Sequence, residues 1–303
     1  MSVDLLQYAP GDRRALFLDD QLDTIRAERE EARRAWIEGQ SAEHAWEFLE
    51  LANEWMAKRE EMSPQQRAEN RCLLVIDVNL KDFDDIRSLE DHADFSDNLP
   101  QHPQSIDTQD GRYAGWVLLE HVVRGDPRLR DLPVIMLSGY VIGQAKPRLK
   151  RAENDHSAPT RFIQKAAVGD PNKNGAGFRN AACDLLYDKR LLFLHRLAGF
   201  WELEQNQVTG MLGLRDPDKI SAVGELYDRR RQQPTTDADQ RVQILYAIRK
   251  NLKNLFRNRV SEMDWLTSRH SQLVNRSPLD LMTSGEFAEL AALRSYVDKI
   301  CGR

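Results

Sequence analysis

RCLLVIDVNL, residues 71–80, is the stretch on which the reading of the whole chain turns. Five apolar residues, Cys72 to Ile76, run directly into Asp77, and two of them, Val75 and Ile76, are β-branched. A short unbroken apolar run between polar residues has the character of a strand covered on both faces, as in a parallel sheet. An acid at the carboxyl end of such a strand stands where open α/β sheets build their sites. The same acid can also serve only to cap the loop that follows.

Working outward, the same pattern recurs. Upstream, Ala15 to Leu18 (ALFL) ends at Asp19-Asp20, and Ala35-Trp36-Ile37 reads as a further short strand. Downstream, Leu132 to Leu137 (LPVIML) ends at Ser138-Gly139, and Arg161 to Lys165 (RFIQK) ends on a lysine. Helix-prone segments lie between: Leu22 to Arg34, Ser41 to Lys58, a stripe of Trp116, Leu119, Val122 and Val123, Val141 to Ala152, and Phe178 to Trp201, which is expected to cover the sheet. Strands alternating with helices predict an α/β fold with a doubly wound, five-stranded parallel sheet. Between the third strand and the next helix, residues 81–110 hold nine acids and two bases with no period, and read as an inserted acidic loop.

Composition bounds the answer. A chain of 303 residues, 41% hydrophobic and 30% charged, is expected to form two soluble domains. No apolar run reaches the ~18 residues of a membrane span, and MSVDLLQYAPGDRR has no apolar signal core, so a cytoplasmic protein is expected. Cys72, Cys183 and Cys301 lie far apart, with neither metal-ligand spacing nor a disulfide pattern. The seven histidines are scattered, and Asn174-Gly175-Ala176-Gly177 lacks the Lys-Ser/Thr of a phosphate loop. The net charge of −5 is uneven: from Val208 onward there are 16 Lys+Arg and 12 Asp+Glu, so the acidic excess lies in the front half. That balance speaks against a chain that coats nucleic acid along its whole length.

In a parallel sheet the strand ends share one rim. Asp19, Asp20, Asp77, Ser138 and Lys165 all fall there. Three carboxylates repel one another unless a cation lies between them, and a hard divalent ion such as Mg²⁺ suits oxygen ligands. A lysine balances charge, and a small hydroxyl can bond a phosphoryl oxygen. Together they form a set for moving a phosphoryl group onto a carboxylate. At these residues the chain resembles the receiver domains of response regulators over about residues 12–200. The acid pair Asp19-Asp20, Asp77 in IDVNL, Ser138 in VIMLSG and Lys165 in RFIQK carry the resemblance, with Phe162 at the family's aromatic switch position. The resemblance implies that Asp77 accepts a phosphoryl group from a histidine kinase or phosphotransfer protein. It also implies that Asp19, Asp20, Asp77 and the Asn79 backbone carbonyl bind Mg²⁺, and that Ser138 and Lys165 touch the phosphoryl group. The chain departs from the family in carrying Ala166 after the lysine and Lys81 after Leu80, where prolines are common, and in the acidic insertion itself.

The rear half reads as all-α. Val208 to Leu212, a turn through Asp218 and a helix from Lys219 make a helix-turn-helix-like pattern, which also fits an ordinary helical hairpin. Arg241 to Val260 is a strong helix carrying Arg241, Arg249, Lys250, Lys253, Arg257 and Arg259, either as a solvated face or as a phosphate-facing one. Ser277 and Pro278 are placed to open a helix, and Phe287, Leu290, Leu293, Val297 and Ile300 form the stripe of the last one, opened by Thr283 or Ser284. Residues 207–303 resemble the toxin-binding domain of the MbcA/ParS/Xre antitoxins. Trp265-Leu266, Asn275, Ser277-Pro278-Leu279-Asp280-Leu281 and Gly285 carry that resemblance. It implies an RES-type toxin as partner, with Trp265, Pro278, Leu279, Gly285 and Arg303 as candidate contacts.

The expectation is therefore a two-component, response-regulator-like protein whose phospho-acceptor domain controls a helical antitoxin-like output, with no enzymatic activity beyond its own phosphorylation. Two alternatives stay open. One is a transcriptional regulator binding DNA through residues 205–260, and the other is a docking protein that works without phosphorylation. A homodimer is compatible with each.

Overall fold

The computed structural model describes residues 3–9, 11–19, 21–78, 80, 114–138, 159–165, 176–214, 220, 223 and 237–302. Asp20, Asn79, the acidic stretch 81–110, the helix expected over 141–152 and Arg303 lie outside the described residues, as does most of the second helix of the helix-turn-helix-like pattern. The chain divides into two compact units, one of residues Gly11–Leu186 and one made of Met1–Pro10 together with Tyr187–Arg303.

The first unit is an α/β layer structure. Its strands are β1 (Arg13–Leu18), β2 (Glu38–Ala42), β3 (Arg71–Asp77), β4 (Val134–Ser138) and β5 (Thr160–Gln164), all parallel, in the order β2-β1-β3-β4-β5. This is the flavodoxin-like topology that receiver domains share, with the order reversing between β1 and β3. β3 is central and, after Arg71, wholly buried, which is why its sequence is an unbroken apolar run. Alternation assigns the faces. Leu16, Leu18, Cys72, Leu74, Ile76, Val134 and Met136 pack with helix α2 (Ala45–Glu61) and with Trp116, Leu119 and Val122. On the other face Phe17 meets Phe178 at a ring distance of 5.7 Å, where α1 (Arg26–Arg34) and the helix Ala176–Leu186 pack together.

The second strand differs from expectation. Ala35-Trp36-Ile37 is not a strand. Ala35 closes α1, Trp36 turns the chain in the left-handed region (φ 58°), and Ala35 and Ile37 drop into the core. The strand begins at Glu38 and reads EGQSA. Among the described strands it pairs only with β1, so as an edge strand with exposed positions it needs no apolar run. Ser41 therefore lies in β2 opposite Phe17, and α2 starts after His44. A short helix α3 (Pro64–Glu69) leads into β3 through a capping box in which Ser63 and Gln66 satisfy each other's backbone. The helix read over Trp116 to Val123 is α4 (Ala114–Val117), which widens into a π-helical turn, Leu118–Val123.

The stretch Phe178 to Trp201 is two helices rather than one. α5 (Ala176–Leu186) belongs to the α/β unit, and α6 (Lys189–Trp201) belongs to the helical one. Asp188 makes the break, its side chain accepting from the Arg190 N–H as the cap of α6.

The helical unit continues through α7 (Gln205–Met211), α8 (Asp237–Leu255), α9 (Arg259–Thr267), α10 (Pro278–Thr283) and α11 (Phe287–Ile300). The helix read over Arg241 to Val260 is thus two, parted where Asn258 caps α9. Leu245, Ile248 and Leu252 of α8 and Leu290, Leu293 and Val297 of α11 are fully buried, and the two helices pack side by side. Ile300 does not join that stripe and is 40% exposed. Residues Leu5–Tyr8 form a 3₁₀ turn in this unit, with Leu5 and Leu6 buried, the Val3 N–H donating to the Leu203 carbonyl, and the turn lying against α6. Among the described residues no helix is long and apolar enough to cross a membrane.

Candidate functional site

Register brings the rim residues to one level. Leu18 pairs with Ile76, so Asp19 leaves β1 beside Asp77. Asp77 pairs with Leu137, so Ser138 stands one residue beyond it, and Ser138 pairs with Gln164, so Lys165 follows one residue further on. The Lys165 N–H donates to the Ser138 carbonyl at 2.9 Å, which fixes where the lysine side chain sets out.

The side chains then converge. Lys165 Nζ donates to Asp19 Oδ2 at 2.5 Å, to Asp77 Oδ2 at 2.9 Å and to Thr24 Oγ1 at 3.2 Å. The side chains of Asp19, Asp77 and Lys165 are 1%, 4% and 10% exposed. Asp19 Oδ1 also accepts from the Gln21 N–H at 2.8 Å, which pins the carboxylate to the start of the following turn. Burial by itself pulls the Lys165 pKa down; the charge of Asp77 and the bonds to Asp19 outweigh it and leave it above the usual lysine value. The ammonium is thus a fixed positive charge.

Of the expected site residues, Asp19, Asp77 and Lys165 meet through their side chains. Ser138 is buried at the end of β4 on the same rim. Phe162 lies two residues before the strand end and stacks on Trp116, with ring centroids 5.2 Å apart and planes 25° apart. Asp20 and Asn79 lie outside the described residues. Among the described residues no group of three or more carboxylate, histidine or cysteine side chains could hold a metal ion; Asp19 and Asp77 meet at the Lys165 ammonium.

Two residues of the site escape a sequence reading. Thr24 comes from the 3₁₀ turn Leu22–Ile25, and a lone threonine in a charged stretch carries no signal. Gly115 sits under the exit of β3: a Cβ there would lie 1.9 Å from the Asp77 carbonyl oxygen. Its own N–H donates to the Val78 carbonyl at 3.3 Å, so α4 docks backbone to backbone on the end of β3.

In the helical unit, the described toxin-contact candidates serve the framework. Trp265 is half-buried between Phe256 and His270, at ring distances of 5.8 and 5.2 Å. Pro278 is buried at the first position of α10, behind the capping box of Ser277 and Asp280. Leu279 is half-buried, and Gly285 turns the chain between α10 and α11 with φ 82°. The basic residues of the 241–259 stretch are in part spent internally. Arg241 donates to Asp237 at 2.7 Å and lies over the Phe287 ring. Arg249 donates to buried Glu262 at 3.0 Å, which also accepts from Trp201 Nε1 at 2.7 Å. Arg259 pairs with Glu202 at 2.5 Å. Lys250, Lys253 and Arg257 remain exposed. No protein-family model and no curated protein matches the sequence.

Proposed function

We propose that the chain is a receiver-like signalling protein in which Asp77 is the phospho-acceptor and the helical unit is the output. The observation that carries this reading is the buried Lys165 ammonium bridging Asp19 and Asp77 at 2.5 and 2.9 Å on the carboxyl rim of a 2-1-3-4-5 sheet. An Asp77 carboxylate oxygen attacks the phosphorus of a phosphohistidine; the new O–P bond forms, the P–N bond breaks, and the leaving imidazole nitrogen keeps the electron pair and takes up a proton. Lys165 orients the acceptor and balances charge that builds on the phosphoryl oxygens. Ser138 supplies a hydroxyl at the same level. The hard oxygen donors of Asp19 and Asp77, brought together at Lys165, fit Mg²⁺. Asp19, Asp20, Asp77 and the Asn79 carbonyl would hold it, and the ion would supply charge neutralisation of the phosphoryl oxygens.

The output reading rests on the resemblance of residues 207–303 to the MbcA/ParS/Xre antitoxins, so the partner proposed is an RES-type toxin. The DNA-binding alternative has less support, because Arg241, Arg249 and Arg259 are engaged within the unit. The test is intact-mass spectrometry after incubation with magnesium and acetyl phosphate. The wild-type chain gains one phosphoryl group and Asp77→Ala gains none; equal incorporation in both, or none in wild type, removes the acceptor reading.

A further inference from the structure

The Lys165 ammonium has three N–H bonds, and the structure gives each of them an oxygen. Two go to carboxylates, Asp19 Oδ2 at 2.5 Å and Asp77 Oδ2 at 2.9 Å; the third goes to Thr24 Oγ1 at 3.2 Å. A phosphoryl oxygen arriving on Asp77 therefore meets a lysine with no N–H to spare. One of the three acceptors has to let go. The two carboxylate bonds are short and charge-assisted, while the threonine bond is longer and to a neutral oxygen, so Thr24 is the acceptor that yields at least cost.

Thr24 is itself stationed by the backbone. Both its N–H and its Oγ1 lie 2.8 Å from the Gln21 carbonyl, in the turn that directly follows the acidic end of β1. Its hydroxyl hydrogen has that carbonyl as its nearest acceptor, which leaves an oxygen lone pair for Lys165. Asp19 Oδ1 and Oδ2 are each 3.2 Å away, so the same hydroxyl also flanks the carboxylate that holds the lysine most tightly.

We propose that Thr24 is a positioning residue that holds Lys165 closed against an incoming phosphoryl oxygen, and so slows phosphorylation of Asp77. This rests on the reading of Asp77 as acceptor. Removing the hydroxyl frees one N–H of the ammonium while leaving both carboxylate bonds in place.

The test compares the full chain as wild type, Thr24→Val, Thr24→Ala and Thr24→Ser. The initial rate of phosphoryl incorporation from acetyl phosphate with magnesium is followed by intact mass. The rate rises about three- to tenfold in Thr24→Val, the range of one hydrogen bond given up, and stays at the wild-type level in Thr24→Ser. Thr24→Ala, which removes the hydroxyl without a second branch, carries the same expectation if the valine variant does not fold. A second readout needs no phosphodonor: reductive methylation of Lys165, mapped by peptide mass, speeds up in the Val and Ala variants and not in the Ser variant. Incorporation in wild type with Val and Ala at or below its rate overturns this inference alone. No incorporation in any of the four overturns the acceptor reading and this inference with it.

Discussion

Gly115 shows how a single residue can be required by a site it does not touch chemically. With a Cβ 1.9 Å from the Asp77 carbonyl oxygen, Gly115→Ala must push α4 off the end of β3. The expected cost is about 1–3 kcal/mol by urea unfolding, with slower incorporation of phosphate at Asp77; an alanine variant as stable as wild type would show that the close approach is dispensable. Cys72 carries a prediction of a different kind. Burial pushes its thiol from 9.0 up to about 12, with Arg14 only partly opposing. The charged form is disfavoured in the fold, so the contribution is complete below pH 9 and is lost as pH rises from 9 towards 12. Stability of the wild-type chain relative to Cys72→Val should be unchanged between pH 7 and 8.5 and fall by about 1 kcal/mol by pH 10. Denaturant melts at the two ends of that range measure it. Asp19, Asp77 and Lys165 were legible in the sequence because each follows an apolar run. Thr24 and Gly115 were not, because their roles come from register and backbone proximity, which leave no periodicity behind.

At the scale of elements, the strands that are buried on both sides announced themselves and the edge strand did not. β3 and β4 are apolar because helices cover both faces of the sheet there, whereas β2 needs to satisfy only one neighbour and reads EGQSA. The apolar triplet just before it serves the closing turn of α1 instead. A break inside a helix-prone stretch was equally hidden: Phe178 to Trp201 has no proline, and only the capping aspartate at 188 divides it. The start of α10 was open to view, since Ser277-Pro278 with Asp280 states its own capping geometry. Ser277→Ala should cost the helical unit about 1 kcal/mol, read as a lower thermal midpoint, while Ser277→Asp should restore most of it. The start of α11 was misplaced because Thr283 and Ser284 lie at the end of α10 and Gly285 makes the turn, leaving Glu286 as the cap.

On the scale of the molecule, the helical unit is assembled from two separate pieces of chain. Residues 1–10 belong with 187–303, and the α/β unit lies between them in sequence. Nothing in MSVDLLQYAP marks this, because two adjacent leucines have no period to read. Deleting residues 1–10 should therefore lower the melting of the helical unit and leave the sheet unit unchanged, as followed by hydrogen exchange of Leu245 and Leu293 on one side and of Leu74 and Ile76 on the other. Equal loss of protection in both units would contradict the division. The α/β unit also closes on itself at one arginine: Arg71 pairs with Arg13, its N–H donates to the Asp12 carbonyl, and its guanidinium donates to the Leu186 carbonyl. The two ends of that unit thus lie at the same residue. On a ribosome adding about 5–20 residues per second, Leu5 and Leu6 emerge well before α6 has been made. Once the intervening sheet has folded, its closed ends deliver the early leucines to the newly made helix, so a long wait for a distant partner becomes a short local search.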